Sequence, residues 1–282
     1  MQTLYIVSTP IGNLEDITLR ALRVLREVRL IAAEDTRVTR KLLSHYDIHT
    51  PLTSFNEHNQ ASRIPELLNA LSEIDVALVS DAGTPGVNDP GQSLVQSASD
   101  AGIQIVAVPG PSAVTSAVAV SGLVDESFIY LGFLPRKSGE RKALLNSLVA
   151  ERRPIIAFES PHRLRRTLQD IASTLGDRQI AACREMTKMH EEVFRGTAAD
   201  ALDYFNQPRG EFTLVIAGGS DVAPDDASAT SLALSLLEQL RTDGAGARHA
   251  VEHVTAVTGL SRRKVYRMWL DAQSPRSRRT AE

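Results

Sequence analysis

Residues 184–191 read Arg-Glu-Met-Thr-Lys-Met-His-Glu. Glu185 and Glu191 stand three positions either side of Lys188. A carboxylate can accept a proton from a weak oxygen nucleophile, and an ammonium can orient or polarise that oxygen. The segment therefore offers Glu185 or Glu191 as proton acceptor and Lys188 as the polarising group; the sequence does not choose between the two acids. A solvated strand edge could carry the same residues as structural ion pairs. A second set lies in residues 79–91, VSDAGTPGVNDPG. Asp81 follows the apolar run 76–79, at the strand end where open α/β sheets bind ligands. Gly83, Pro85 and Gly86 make the turn rigid and allow close backbone approach. Two further loops share this character, residues 9–13 (TPIGN) and 109–113 (PGPSA). Ser112, placed to cap a helix, would present a hydroxyl and free N–H groups to a carboxylate. Glu34, Asp35 and Arg37 cluster at another strand end, where they either cap the next helix or orient a substrate.

Composition narrows the classes. The chain has 282 residues, 43% hydrophobic and 23% charged, enough for two domains and a third small one. The single cysteine, Cys183, excludes an intrachain disulfide and a cysteine-based metal cluster. The seven histidines show no ligand spacing, so no metal site is expected. GxGxxG, GxxxxGK[ST] and HExxH are all missing. The start shows no basic region followed by an apolar core, and no run of 18 apolar residues occurs, so a cytoplasmic protein without a membrane segment is expected. The net charge of −3 is uneven. Residues 248–282 hold eight Lys/Arg against three Asp/Glu, and the remainder 23 against 31. A basic tail on a mildly acidic body suits a polyanion held by the tail; a solvated terminus is the plainer reading.

The elements that must position these groups follow from periodicity. Strands are expected at 3–8, 30–33, 76–79 and 104–108, with helices at 17–28, 64–71, 90–101 and 113–120. This alternation argues a mostly parallel sheet. The pattern restarts near 121–127. Strands at 128–134, 154–159, 179–185, 192–196 and 211–217, with helices at 140–149, 164–175 and 198–205, suggest a second α/β domain with a mixed sheet. After a polar linker at 219–230 come helices at 231–240, 247–258 and 261–270. The turn Thr258-Gly259-Leu260-Ser261 suits a helix-turn-helix, whose second helix opens with Arg262, Arg263 and Lys264, then Tyr266, Arg267 and Trp269. Basic residues there suit nucleic-acid phosphates, and a small helical cap is the alternative. The expected domains are 1–121, 122–218 and 231–282.

The three Gly/Pro loops, in this order, resemble the tetrapyrrole methylase superfamily. With AAEDTR, FLPRK, ESPHR, REMTKMHEE and FRG added, the chain is similar to its bacterial 16S ribosomal RNA (cytidine-2′-O)-methyltransferases from Leu4 to about Gly218, and the helical tail resembles their extra C-terminal domain. The resemblance implies two α/β domains with S-adenosylmethionine in the cleft between them. It implies a target in the decoding region of the small ribosomal subunit, and a homodimer. Pro10, Gly12 and Asn13 would wall the cleft. Ser80, Asp81, Ala82 and Val87 would lie along the methionine and ribose of the cofactor. Ser112 and Ala113 would meet its polar ends, and Ser160, Pro161, Phe212, Thr213 and Leu214 would hold the adenine. A ribose 2′-hydroxyl needs its proton accepted or its oxygen polarised, which suits residues 185–191. Arg136, Lys137, Arg163 and Arg184 would contact RNA phosphates. A methylase of corrin or porphyrin precursors and a DNA-binding regulator with a small-molecule sensor are the other readings.

Overall fold

The computed structural model describes residues 2–219, 226–242, 245–258, 260 and 262–271. They fall into two compact units, Met1–Ala217 and Gly218–Glu282.

The first unit holds two five-stranded sheets. In the first, β1 (Thr3–Val7), β2 (Leu30–Ala33), β3 (Leu52–Ser54), β4 (Val76–Val79) and β5 (Gln104–Val108) run all parallel in the order β3-β2-β4-β1-β5. Its helices are α1 (Leu19–Glu27), α2 (Thr36–His45), α3 (Gln60–Leu71), α4 (Gln92–Asp100) and α5 (Ala113–Ser121). The all-apolar VALV of β4 reflects burial on both faces. Ala77 and Val79 pack with Val24 and Leu25 of α1 and Leu42 and Leu43 of α2. Val76 and Leu78 pack on the other side with Leu67 and Leu71 of α3 and Leu94 of α4. Each large side chain so buried contributes about 1.5–3 kcal/mol relative to exposure. Thr18 caps α1, its hydroxyl accepting from the Ala21 N–H. The short β3 was not expected, and α3 starts four residues earlier than its apolar periodicity suggests.

The second sheet comprises β6 (Ile129–Phe133), β7 (Ile155–Glu159), β8 (Gln179–Arg184), β9 (Glu192–Thr197) and β10 (Phe212–Ile216), ordered β6-β7-β10-β8-β9. Only β6 and β7 are parallel, so the sheet is mixed as expected. One face packs under α6 (Ser138–Ser147), α7 (Pro161–Leu175) and α8 (Ala198–Tyr204). The other face receives α5: Val114 and Ala117 lie against Ile156, Ala181 and Val215. One helix thus follows a strand of the first sheet and packs on the second.

The C-terminal unit consists of α9 (Asp226–Thr242), α10 (Ala247–Thr258) and α11 (Arg262–Asp271). It has its own core, including Leu237, Val251, Val254, Leu260, Val265 and Trp269. The linker expected at 219–230 is shorter, because α9 already begins at Asp226. Residues 220–225 of it, and the predicted turn residues Gly259 and Ser261, lie outside the described residues.

Candidate active site

Strands β4, β1 and β5 are adjacent in the first sheet, so the three Gly/Pro loops leave the same edge side by side. Thr9 and Gly83 exchange backbone bonds of 2.8 and 3.0 Å, and Gly83 needs φ +82° to do so. The Ser8 and Thr84 hydroxyls are 2.8 Å apart, and the Thr9 hydroxyl donates to the Ser80 carbonyl. The loop after β4 is also fixed to the second sheet. Tyr130 donates to Asn88 Oδ1 at 3.0 Å, and a Cβ on Gly132 would stand 2.5 Å from the Asn88 amide.

These loops and the edge of the second sheet enclose a cavity of about 350 Å³, a size that suits a small molecule. Ile11, Ala82, Val87, Ser112 and Ala113 line it from the first half, with Phe133, Phe158, Ser160, Pro161, Phe212 and Thr213 from the second. Phe133 and Phe158 meet edge to face, 5.6 Å between centroids. Helices α5 and α7 both begin at this cavity, with Ser112 and Ser160 as N-caps. Neither hydroxyl makes a capping bond, which corrects the expectation that Ser112 caps α5: its side chain belongs to a cavity-lining residue rather than to a cap. Cys183 also lines the wall, and burial pushes its thiol up to about 11, so it stays protonated.

Several residues expected along the cofactor lie outside this lining. Leu214 is fully buried in the core beneath the helices of the second sheet. Asn13 accepts from the Glu15 N–H and caps the short turn Leu14–Asp16. Ser80 is buried, and Pro10 is half-exposed. Asp81 accepts from the Asp35 N–H, while its own N–H donates to Glu34, so the two strand-end loops brace each other. Asp35 caps α2 and pairs with Arg37, which brings its carboxyl down to about 2. Of the two readings of the 34–37 cluster, this is the capping one. Asp89, which sequence reasoning passed over, does line the cavity, and its carboxyl is pushed up to about 6, mainly by burial. The hint was its place in the same loop as Asp81.

Beside the cavity, β8 ends and the chain turns through Glu185 (φ +49°) and Thr187 (φ +67°). Left-handed backbone at two non-glycine residues is uncommon and marks a constrained segment. The Glu185 carboxylate accepts from the Glu211 N–H at 3.0 Å and from Lys188 Nζ at 2.9 Å. Those two donors, the backbone one first, hold its carboxyl below the usual range. Lys188 Nζ also donates to Glu211 Oε2 at 2.9 Å. Burial works against its charge, but the bonds to Glu211 and Glu185 outweigh that and keep the ammonium protonated. Glu191 accepts from the Thr187 N–H at 2.8 Å, closing the turn. Gly12 is pressed against this group: a Cβ there would lie 2.5 Å from Lys188 Cγ and 2.9 Å from Thr187 Oγ1. Glu211 is a functional candidate the sequence reading missed; a charged residue directly before the mostly apolar strand Phe212–Ile216 was the available signal.

The basic residues sort differently from expectation. Arg184 donates to the Arg209 carbonyl and pairs with Glu192 at 2.9 Å, and Arg163 is held by Glu159 and the Leu134 carbonyl. Both brace the fold, because their guanidinium donors satisfy internal oxygens. Arg136 is exposed, and exposed Lys137 pairs with Glu140. In the C-terminal unit Arg262 lies 3.5 Å from Glu252, Arg267 and Tyr266 are exposed, Lys264 is half-buried and Trp269 is in the core. The Arg263 side chain lies outside the described residues. Among the described residues no group of three or more His, Cys, Asp or Glu is placed to hold a metal ion, and no helix is long and apolar enough to cross a membrane.

Comparison with known proteins agrees with this architecture. The family model for Tetrapyrrole (Corrin/Porphyrin) Methylases matches residues 3–202. A Thermotoga maritima protein named Ribosomal RNA small subunit methyltransferase I is 55% identical over 221 residues, which cover 77% of this chain and 99% of that one. A Synechocystis protein of the same name is 45% identical, covering 97% of this chain and 99% of its own. Among solved structures, uroporphyrin-III C-methyl transferase from Thermus thermophilus, complexed with S-adenyl homocysteine, superposes with a TM-score of 0.54 at 16% identity, covering 77% of this chain and 97% of that one.

Proposed function

Since the chain belongs to the tetrapyrrole (corrin/porphyrin) methylases, we propose that it takes S-adenosylmethionine into the cavity and methylates small-subunit ribosomal RNA. The acceptor we propose is the 2′-hydroxyl of a cytidine in the decoding region of 16S rRNA. The observation that carries this reading is the juxtaposition of the cleft between the two sheets with the Glu185–Lys188–Glu211 cluster at its margin. The relatives' shared name supports the RNA substrate.

The residues present fit the cofactor. Two helix N-termini with uncapped serines suit its carboxylate and hydroxyls. Ala82, Val87, Ala113, Pro161 and the Phe158–Phe212 wall suit its apolar parts and adenine. Pro10, Gly12, Asn13, Ser80, Asp81 and Leu214 lie outside the lining and have no direct contact with the cofactor in this reading. When bound, the cofactor supplies an electrophilic methyl group on a sulfonium. The protein's task is then to place a hydroxyl in line and to ease loss of its proton, so positioning carries much of the rate. Lys188, held charged, polarises the acceptor oxygen. Glu185, kept ionised and weakly basic by its two donors, positions Lys188. Glu211, mostly exposed and lining the cavity, is better placed than Glu185 or Glu191 to accept a proton.

The exposed basic residues Arg136, Lys137, Arg262 and Arg267 contact RNA phosphates in this reading, with Arg263 and Lys264 on the same helix. The two-sheet unit carries the chemistry: the Thermotoga relative, 99% covered by 221 residues, is about the length of that unit. A homodimer is part of the proposal, to be checked by light scattering. The test is incubation of the protein with labelled S-adenosylmethionine and small ribosomal subunits lacking the modification. Label on a cytidine ribose supports the reading; label on a base, or transfer only to a tetrapyrrole, refutes it.

A further inference from the structure

Charge inside the cavity is one-sided. Three acids line it, Asp89, Glu159 and Glu211, and no basic residue does. Two of the three have cationic partners: Glu159 with Arg163 at 3.2 Å and Glu211 with Lys188 at 2.9 Å. Asp89 has no such partner, and the charges acting on it are those of Glu34 and Asp81, both of its own sign. Among the described residues it is thus the one cavity acid without a counter-ion. A carboxylate withdrawn from water and left unpaired is costly. A cationic ligand would remove that cost.

We propose that Asp89 is the residue by which the cavity tells the sulfonium cofactor from its neutral thioether product. This rests on the reading that the cavity takes S-adenosylmethionine. In transfer, the acceptor oxygen forms a bond to the methyl carbon, the carbon–sulfur bond breaks, and its electron pair stays on sulfur. The acceptor's proton leaves to a base and then to solvent. The sulfur therefore carries a positive charge before transfer and none after, while the amino-acid ammonium and carboxylate are unchanged. Attraction to Asp89 is present for the reactant and lost for the product, which favours exchange of spent cofactor for fresh. The rising carboxyl pKa, to about 6, has the same origin: the site is built for a partner the free protein lacks.

The experiment is titration calorimetry of the full chain and of Asp89→Asn with S-adenosylmethionine and S-adenosylhomocysteine separately. The expected result is a roughly tenfold weaker S-adenosylmethionine affinity in the variant, from loss of one partly screened charge pair, with S-adenosylhomocysteine changed less than about twofold. Asp89→Ser repeats the measurement should the Asn variant fold poorly. Equal weakening of both ligands would mean that Asp89 reads the ammonium or the ribose, and would overturn the proposal. Unchanged affinity for both would place Asp89 away from the ligand and overturn it as well. Wild-type protein that binds neither ligand would overturn the reading of the cavity itself, and is distinct from the other two results.

Discussion

Gly12→Ala is expected to slow methyl transfer about a hundredfold without loss of cofactor binding. The added Cβ would lie 2.5 Å from Lys188 Cγ, where ordinary contact begins at 3.4 Å. The Lys188 stem must therefore give by roughly 1 Å, and it cannot simply swing away, because its ammonium is tied to Glu185 and Glu211. A displacement of this size in a positioning group costs on the order of 10²-fold in rate. The overpacking itself costs about 1–3 kcal/mol of stability. The assay is single-turnover transfer of labelled methyl to small ribosomal subunits, alongside calorimetry with S-adenosylmethionine and a thermal melt. Lys188→Ala provides the control. With the lysine stem removed, Gly12→Ala should cost less than about tenfold more, because only Thr187 Oγ1 remains in the way. A Gly12→Ala protein that turns over at the wild-type rate would refute the steric argument. Parallel loss of cofactor affinity would assign Gly12 to the cavity wall instead.

Other outcomes follow from the same contacts. Glu185→Gln should lower kcat at least tenfold with little change in cofactor affinity, since it loosens Lys188 outside the cavity lining; stopped-flow or single-turnover kinetics would show it. The Asp89 carboxyl has a raised pKa in the folded chain, so the folded state binds more protons than the unfolded one between about pH 4 and 6, and stability falls as pH rises through that window. Asp89→Asn should remove this dependence and raise the ligand-free Tm near pH 7 by a few degrees, from about 1 kcal/mol after discounting for solvent screening; a lower Tm would contradict it. Arg141→Ala removes the 2.5 Å partner of buried Asp170, which keeps Lys142 at 3.5 Å and the Ser138 hydroxyl, and should cost about 2–3 kcal/mol in denaturant unfolding, below the roughly 3–5 kcal/mol of a fully stripped pair. Removing residues 218–282 should leave cofactor binding intact and weaken RNA binding about tenfold or more, with a shallower salt dependence; equal RNA affinity would make the helical unit a structural cap.

What was legible in the chain, and what was not, has physical causes. The three Gly/Pro loops could be found because backbone demands select glycine and proline at fixed places, and their adjacency then followed from the order of β4, β1 and β5. The mixed second sheet was legible from strands that follow each other too closely for helical crossovers. Strand β3 was not: Leu-Thr-Ser is too short to show a period. The start of α9 was hidden because Asp226-Ala-Ser-Ala has the small polar look of a linker, although Ala favours helix. Glu211 could not be placed because it lies 26 residues from Glu185, and only the antiparallel register of β8 with β10 makes them neighbours. Arg163 and Arg184 show the converse: the sequence gives no sign that these charges have partners, and the fold supplies carbonyls for them.

Helix α5 has a mechanical consequence. It leaves the edge of one sheet and lies on the face of the other, with Ala117 fully buried and Val114 nearly so. Separating the sheets like a clam would expose both residues and their partners Ile156 and Val215, at several kcal/mol. Ligand traffic therefore uses the open mouth of the crevice, while the two scaffolds ride together as one body.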